Sequence, residues 1–204
     1  FCIQKAEETE DASRKATLLR MARNCSRVPM NPAQSFEEAI QCLYFCFAFL
    51  PDSIGRPDLD LYPLYKRGVS DGTLTREHAK ELIQELFIRI HGHTFHTPWA
   101  DDKGAESHFV IGGYTKEHED GFNELSDLIL ESMMDLPLER PQVSLRWTKK
   151  TPREVLRKML DCERRDRYKR TAFVKDEPRI ASLMKINGLP FETACEYIMV
   201  GCNE

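Results

Sequence analysis

The sequence lacks an apolar run long enough to cross a membrane. Its longest candidate, Cys42 to Leu50, falls well short of the roughly 18 residues that a spanning helix requires. Residues 1–20 lack the hydrophobic region of a secretion signal and carry Glu7-Glu8-Thr9-Glu10-Asp11 instead. An excess of positive charge is missing too. The 29 Lys and Arg against 33 Asp and Glu leave a net charge of -4, which argues against a nucleic-acid surface. The seven cysteines (Cys2, Cys25, Cys42, Cys46, Cys162, Cys195, Cys202) are odd in number and contain no CxxC pair. A disulfide framework is therefore disfavoured, and reduced thiols in a cytoplasmic setting are expected. There is no GxGxxG or Walker pattern, no internal repeat and no low-complexity tract. Gly112-Gly113 is accordingly read as a tight turn rather than a phosphate loop.

What remains is 204 residues, 41% hydrophobic and 30% charged, enough for one globular domain with a substantial core. Residues 5–24 have helical spacing, broken by Pro29 and Pro32. Ser35-Phe36-Glu37-Glu38 reads as a capping box opening an apolar segment, 39–50, buried on several faces, whose later part fits a strand as well as a helix by pattern alone. Residues 51–60 read as a loop. A helical stretch from Tyr62 is expected to stop at Gly68, with a turn at Asp71-Gly72. Thr75 caps a long helix with Ala79, Leu82, Ile83, Leu86, Phe87 and Ile90 on one face. Residues 96–107 read as a polar loop and 108–113 as a buried strand with a glycine turn. A helix over 123–134 and a strand over 142–147 follow. Thr151-Pro152-Arg153-Glu154 predicts a second capping box and a helix to about Arg165. A strand at 171–174, a helix over 178–187 stopped by Gly188, a last helix over 190–197 and a last strand over 198–200 complete the pattern. Strands alternating with helices indicate an α/β protein with a largely parallel sheet, whose chemistry sits at the carboxyl ends of the strands.

Gly201-Cys202-Asn203-Glu204 lies just past one such end. In an extended loop, residues i and i+2 point the same way, so the Cys202 thiol and the Glu204 carboxylate can face one substrate. A carboxylate beside a thiol raises the thiol pKa, which disfavours an ordinary thiolate nucleophile. A neutral thiol that gives up a hydrogen atom meets no such objection, and Glu204 can then move protons. On spacing alone, a buried structural cysteine remains the competing reading.

His91, His93 and His96 could suggest a metal site, but their spacing matches no usual zinc pattern. A polar helix end is preferred, with imidazolium favoured near the helix C-terminus. Cys42 and Cys46 read as small hydrophobes in a core. The run Arg164-Arg165-Asp166-Arg167-Tyr168-Lys169-Arg170 reads as a solvated face or a subunit contact.

Six blocks, in order, carry a resemblance. They are Arg27-Val28-Pro29 with Pro32-Ala33 and Ser35 to Ala39; Gly55-Arg56-Pro57-Asp58 with Leu61-Tyr62-Pro63-Leu64-Tyr65; Leu74-Thr75-Arg76-Glu77 with Ala79 and Glu81-Leu82; Val110-Ile111-Gly112-Gly113 with Asn123-Glu124-Leu125-Ser126; Gln142 to Arg146 with Thr151-Pro152; and Val200 to Glu204. The chain resembles the glycyl radical enzymes of the pyruvate formate-lyase-like branch, which holds diol dehydratases, choline and sulfonate lyases, hydroxyproline dehydratase and arylacetate decarboxylases.

The resemblance implies part of a ten-stranded α/β barrel made of two five-stranded halves, with residues 1–204 as one partial barrel domain ending at the cysteine loop. It assigns Cys202 as the thiyl residue and Glu204 as its proton-transfer partner, with no metal. The family's C-terminal radical domain is absent from this sequence and Gly201 is not the radical glycine, so the chain alone is expected to be inactive. The glycyl radical is implied to be installed by a separate activating enzyme that uses S-adenosylmethionine and an iron–sulfur cluster. A small polar substrate losing water, an amine or sulfite, a homodimer, an anaerobic cytoplasm, and no nucleic-acid or membrane partner are the remaining implications. Decarboxylation of an arylacetate is the alternative within the family, and a non-catalytic homologue or interaction domain is the alternative outside it. Two departures stand out. Asn203 occupies a position where many relatives carry valine, and Leu50-Pro51 replaces a dehydratase-like His-Ser pair, which weakens the case for a simple diol.

Overall fold

The structure, a computed structural model, describes residues 1–49, 53–92 and 107–199. Two helices, α1 (Cys2–Glu8) and α2 (Ala12–Arg27), occupy the stretch whose spacing suggests one. Asp11 divides them. Its carboxylate accepts the backbone N–H groups of Ser13 and Arg14 at 2.8 and 3.0 Å, an N-cap that starts a second helix.

The next helix, α3 (Phe36–Phe49), continues where a strand was one expectation for 39–50. A short apolar run cannot distinguish the two by periodicity, and packing decides. Phe36, Ile40 and Phe47 enter the core while Phe49 is 85% exposed, so α3 buries one stripe rather than several faces. The Ser35 hydroxyl accepts the Glu38 N–H at 3.2 Å as the capping box requires. The Glu38 carboxylate reaches one residue further back, to the Gln34 N–H at 2.7 Å.

Residues read as loop contain a one-turn helix, α4 (Pro57–Asp60). Helix α5 (Tyr62–Asp71) runs through Gly68 and stops at Gly72 instead. The reason is steric. A Cβ at Gly68 would lie 2.9 Å from Leu74 Cβ, so this glycine serves close packing, while Gly72 adopts φ +77, a left-handed cap open to glycine. Helix α6 (Arg76–His91) is capped by Thr75, whose hydroxyl accepts the His78 N–H at 3.1 Å. All six apolar residues expected on its inner face are buried.

Two βαβ units follow: β1 (His108–Gly112), α7 (Glu124–Asp135), β2 (Gln142–Trp147), α8 (Arg153–Arg165) and β3 (Thr171–Lys175). The sheet is parallel, in the order β1-β2-β3. Ile54 and Gly55 continue it beyond β1, where the Ile54 N–H donates to His108 O at 2.8 Å and the Val110 N–H to Gly55 O at 2.9 Å. The capping box expected at Thr151 is not formed. Its hydroxyl donates to Asp120 and accepts the Thr148 N–H, and α8 begins after Pro152 without a side-chain cap. Helix α9 (Asp176–Asn187) starts directly after β3 and ends at Gly188, φ +67. The expected helix 190–197 is a single turn, α10 (Phe191–Ala194), and Ile198 and Met199 belong to no strand. No helix of the described residues is long and apolar enough to cross a membrane.

The strands alternate strictly. Phe109, Ile111, Val143 and Leu145 face the helical layer and form the main core with Ile83, Phe87, Leu128, Ile129, Met133 and Met159. Full burial of a side chain such as Phe109 contributes about 1.5–3 kcal/mol. The opposite face carries Val110, Ser144, Arg146 and Val174, and it is this face that positions the site.

Candidate active site

The register sets Gly112 beside Arg146, and Arg146 beside Val174, at the carboxyl ends of the three strands. Two residues beyond Val174 comes Asp176, the first residue of α9, where the helix dipole favours an anion. Arg146 and Asp176 are both fully buried. They form a two-pronged ion pair, Nε to Oδ1 and Nη2 to Oδ2, each 2.8 Å. Asp176 also accepts the Tyr197 hydroxyl at 2.8 Å and the Tyr114 N–H at 2.7 Å, so both of its oxygens are fully used.

A second arginine converges on the same place. Arg56 donates through Nη2 to the carbonyls of Gly112 and Tyr114 at 2.7 and 3.1 Å, and through Nη1 to Cys195 O at 2.8 Å. Arg146 Nη2 donates to that same Cys195 carbonyl at 2.8 Å, and its Nη1 to Tyr197 O at 2.8 Å. The Tyr197 ring lies over the Arg146 guanidinium, 3.8 Å from its carbon to the ring centroid. Met199 then packs, fully buried, on Val110 and Val174. The segment 195–199 is thus pinned across the sheet face opposite the main core at its carbonyls, its tyrosine ring and its methionine.

Gly112 and Gly113 are what allow this closeness. Both have positive φ, +71 and +82. A Cβ on Gly113 would sit 2.7 Å from Arg146 Nε and 2.8 Å from Asp176 Oδ2. The tight turn expected from the sequence therefore seats the ion pair.

Asp58 completes the cluster. It is fully buried and accepts the Gly112 N–H at 2.8 Å and the Ser126 hydroxyl at 2.6 Å. Burial pushes its carboxyl up to about 6, against the pull of those two donors and of Arg56. Burial and the neighbouring Arg146 lower the Arg56 pKa, while Asp58 and Asp176 oppose the fall. The Tyr197 phenol is raised well above its ordinary value by burial and by the Asp176 charge, which together outweigh Arg146. Tyr197 is therefore a neutral hydrogen-bond donor.

Of the site residues read from the sequence, Cys202 and Glu204 lie outside the described residues, as do Asn203, Gly201, Leu50-Pro51, His93 and His96. His91 ends α6, with Arg89 in the same last turn. Among the described residues, no group of three or more His, Cys, Asp or Glu could hold a metal ion. Cys42 and Cys46 lie one turn apart on α3. Cys46 is exposed, which corrects the core reading for that residue, and burial followed by the Cys46 neighbour raises the Cys42 thiol. The basic run divides. Arg164 and Arg165 reach Asp161 at the surface, whereas Arg170 is buried against Asp166 at 2.9 Å and donates to Leu136 O, so it is no part of a solvated face.

Asp176, Tyr197 and the roles of Arg56, Asp58 and Arg146 are not evident from the sequence. The available signals are that Arg56, Asp58 and Arg146 fall within the blocks that carry the resemblance, and that Arg146 is a charged residue between the apolar Leu145 and Trp147 of a strand.

A family model for pyruvate formate lyase-like proteins matches residues 2–204. The chain is 29% identical to a (2S)-3-sulfopropanediol dehydratase from Klebsiella oxytoca and 31% identical to an isethionate sulfite-lyase from Bilophila wadsworthia. Each match covers 98% of this chain, with 26% and 25% of the respective relative. Among solved structures, a glycyl radical enzyme from Archaeoglobus fulgidus superposes with a TM-score of 0.88 at 27% identity, covering 98% of this chain and 27% of that one. The chain spans about a quarter of the length of the curated relatives it matches.

Proposed function

This chain belongs to the pyruvate formate lyase-like family, and from that premise we propose that it supplies the cysteine-bearing part of a glycyl radical lyase or dehydratase. Cys202 is the hydrogen-transferring thiol and Glu204 the proton-transfer group. The observation that carries this reading is the seating of residues 195–199 over the strand ends, which brings the chain to within three residues of Cys202 on the face opposite the main core.

In the reaction, Cys202 as a thiyl takes a hydrogen atom from a substrate carbon, giving the thiol and a substrate radical. Glu204 takes or gives the proton that accompanies loss of the neighbouring group: water, sulfite or an amine. The thiol then returns its hydrogen atom to the product radical, which leaves Cys202 as it began. The odd electron is supplied by a glycyl radical on a glycine outside this sequence, installed by an activating enzyme that uses S-adenosylmethionine and an iron–sulfur cluster. A thiyl must be kept from water and stray reductants. Arg146, Asp176, Cys195 and Met199, all fully buried where the chain runs on toward residue 202, fit that requirement.

The surrounding architecture proposed is the ten-stranded barrel, of which β1–β3 are one part, in a homodimeric cytoplasmic enzyme. Sulfite or water is the preferred leaving group, since two relatives are named for a sulfonate diol and for isethionate. Leu50-Pro51 in place of a His-Ser pair argues against a plain diol.

The test is to produce the full-length protein, activate it anaerobically and record electron paramagnetic resonance spectra of wild type and Cys202→Ala. A glycyl doublet in both, with turnover of isethionate, sulfopropanediol, a diol or an arylacetate in wild type alone, is the expected result. Turnover of an arylacetate alone would move the reading to a decarboxylase. Absence of a doublet in both would sink the enzymatic reading.

A further inference from the structure

The buried ion pair lies off the main core, which sits on the other face of the sheet. Burying an arginine and an aspartate carries a desolvation cost that an apolar pair of similar volume would avoid, and such pairs are best explained where they fix one conformation among several. Here Arg146 Nη1 and Nη2 and Arg56 Nη1 and Nη2 all reach backbone carbonyls. Two N–H groups of Arg146 and one of Arg56 hold the carbonyls of Cys195 and Tyr197. The Tyr197 hydroxyl returns to Asp176, and Gly113 leaves the space in which the pair sits. The carbonyls of Gly112 and Tyr114, bound by Arg56, tie the same cluster to the end of β1. Strand ends and segment 195–197 are therefore joined through two side chains.

We infer that Arg146 and Arg56, set by Asp176 and Tyr197, are positioning residues for the catalytic loop: they fix the path by which the chain leaves the sheet toward Cys202 and Glu204. The inference rests on the reading of Cys202 as the hydrogen-transferring thiol. Hydrogen transfer is steep in distance, and a misplacement of about 1 Å remote from the chemistry can cost on the order of 100-fold. A lysine at 146 keeps the charge but cannot hold two oxygens of Asp176 and two carbonyls at once. A phenylalanine at 197 keeps the ring over the guanidinium and removes only the hydroxyl.

A substrate-free measurement tests this. In deuterium oxide the Cys202 thiol becomes S–D. It donates deuterium to the glycyl radical, giving a CHD carbon and a thiyl, which then takes back the protium. The radical carbon now bears deuterium, and the glycyl doublet collapses to a singlet at a rate that reports thiol-to-glycine transfer. Full-length wild type, Arg146→Lys, Tyr197→Phe and Cys202→Ala are activated anaerobically, their spins counted and the collapse followed. The thermal midpoint of each unactivated protein is recorded alongside.

Positioning predicts collapse per remaining spin slowed on the order of 100-fold in Arg146→Lys, whose midpoint falls with its buried contacts, and slowed to a smaller degree in Tyr197→Phe at a midpoint nearer the wild type. A purely structural role predicts that spins and folded protein fall together while the rate per remaining spin is unchanged; that result overturns the inference. If Arg146→Lys fails to fold, Tyr197→Phe decides alone, and a wild-type rate there overturns it. Collapse in Cys202→Ala at the wild-type rate would refute the reading of Cys202 itself, an outcome distinct from both.

Discussion

Asp58 makes the residue-scale case for pH dependence. Its carboxyl titrates at about 6 in the fold against an ordinary value of 3.8, because burial outweighs its two hydrogen-bond donors. A carboxyl raised in the folded state binds its proton more tightly there than in the unfolded chain. Its contribution to stability is therefore full below pH 4 and is lost as pH rises through about 6. The loss across that window is on the order of 2–3 kcal/mol. In Asp58→Asn, which carries no titrating proton, the slope of the thermal midpoint between pH 4 and 6.5 should flatten; an unchanged slope would show that other groups produce it. Glycine offers a second residue-scale contrast. Gly72 and Gly113 have similar φ, +77 and +82, but a Cβ at Gly72 meets nothing within 4 Å while one at Gly113 strikes the ion pair. Gly72→Ala should cost only the left-handed backbone strain, about 1–2 kcal/mol. Gly113→Ala should cost at least twice that in urea unfolding, and equal costs would remove the ion pair from the explanation.

At the scale of elements, helix ends divide into those held by one cap and those tied to something distant. Asp11 serves only α2, through two N–H groups. Asn123 caps α7 in a reciprocal box with Ser126 and also donates to the carbonyls of Asp58 and Gly121. Asp11→Ala should therefore cost about 1 kcal/mol, and Asn123→Ala should exceed it by roughly 1 kcal/mol for the carbonyls left unpaired. Chemical denaturation of both variants gives the comparison. The same division explains which elements can be read from the chain. Helix α6 is legible because six apolar residues recur at helical spacing behind Thr75, β1 because a short apolar run ends in a glycine turn, and β2 because Gln142 to Trp147 alternates in the strand manner. Thr151 misleads because its hydroxyl is taken by Asp120, 31 residues away. Gly68 misleads because its smallness serves Leu74 rather than a stop. The site follows the same rule. The proposed Cys202–Glu204 pair is named by local spacing together with a resemblance, whereas the cluster beneath 195–199 joins Arg56, Arg146 and Asp176 to carbonyl oxygens, and a carbonyl oxygen has no letter in the sequence.

For the whole molecule, the sheet is a parallel ribbon whose side chains are buried on both faces along β1 and most of β2. Among the described residues no strand pairs with the outer edge of β3, and Phe49, Met30 and Ile186 are 85%, 89% and 77% exposed. Open edges and exposed apolar side chains of this kind template association. Produced by itself, the 204-residue chain should sediment as a mixture that grows as concentration rises through the micromolar range; a single monomeric species at every concentration would show that these surfaces are self-sufficient. The grip on segment 195–197 has a different consequence, for how such a protein can change over generations. Apart from the Tyr197 ring and hydroxyl, the arginines hold main-chain oxygens that every amino acid possesses. The exposed Glu196 side chain can be exchanged without releasing the hold, whereas Cys195 is fully buried against Ile180 and Ala194, where a larger side chain would strain the packing. For a laboratory testing the proposed chemistry, position 196 is the place to diversify, and Arg56, Arg146, Asp176 and Cys195 are the ones to leave alone.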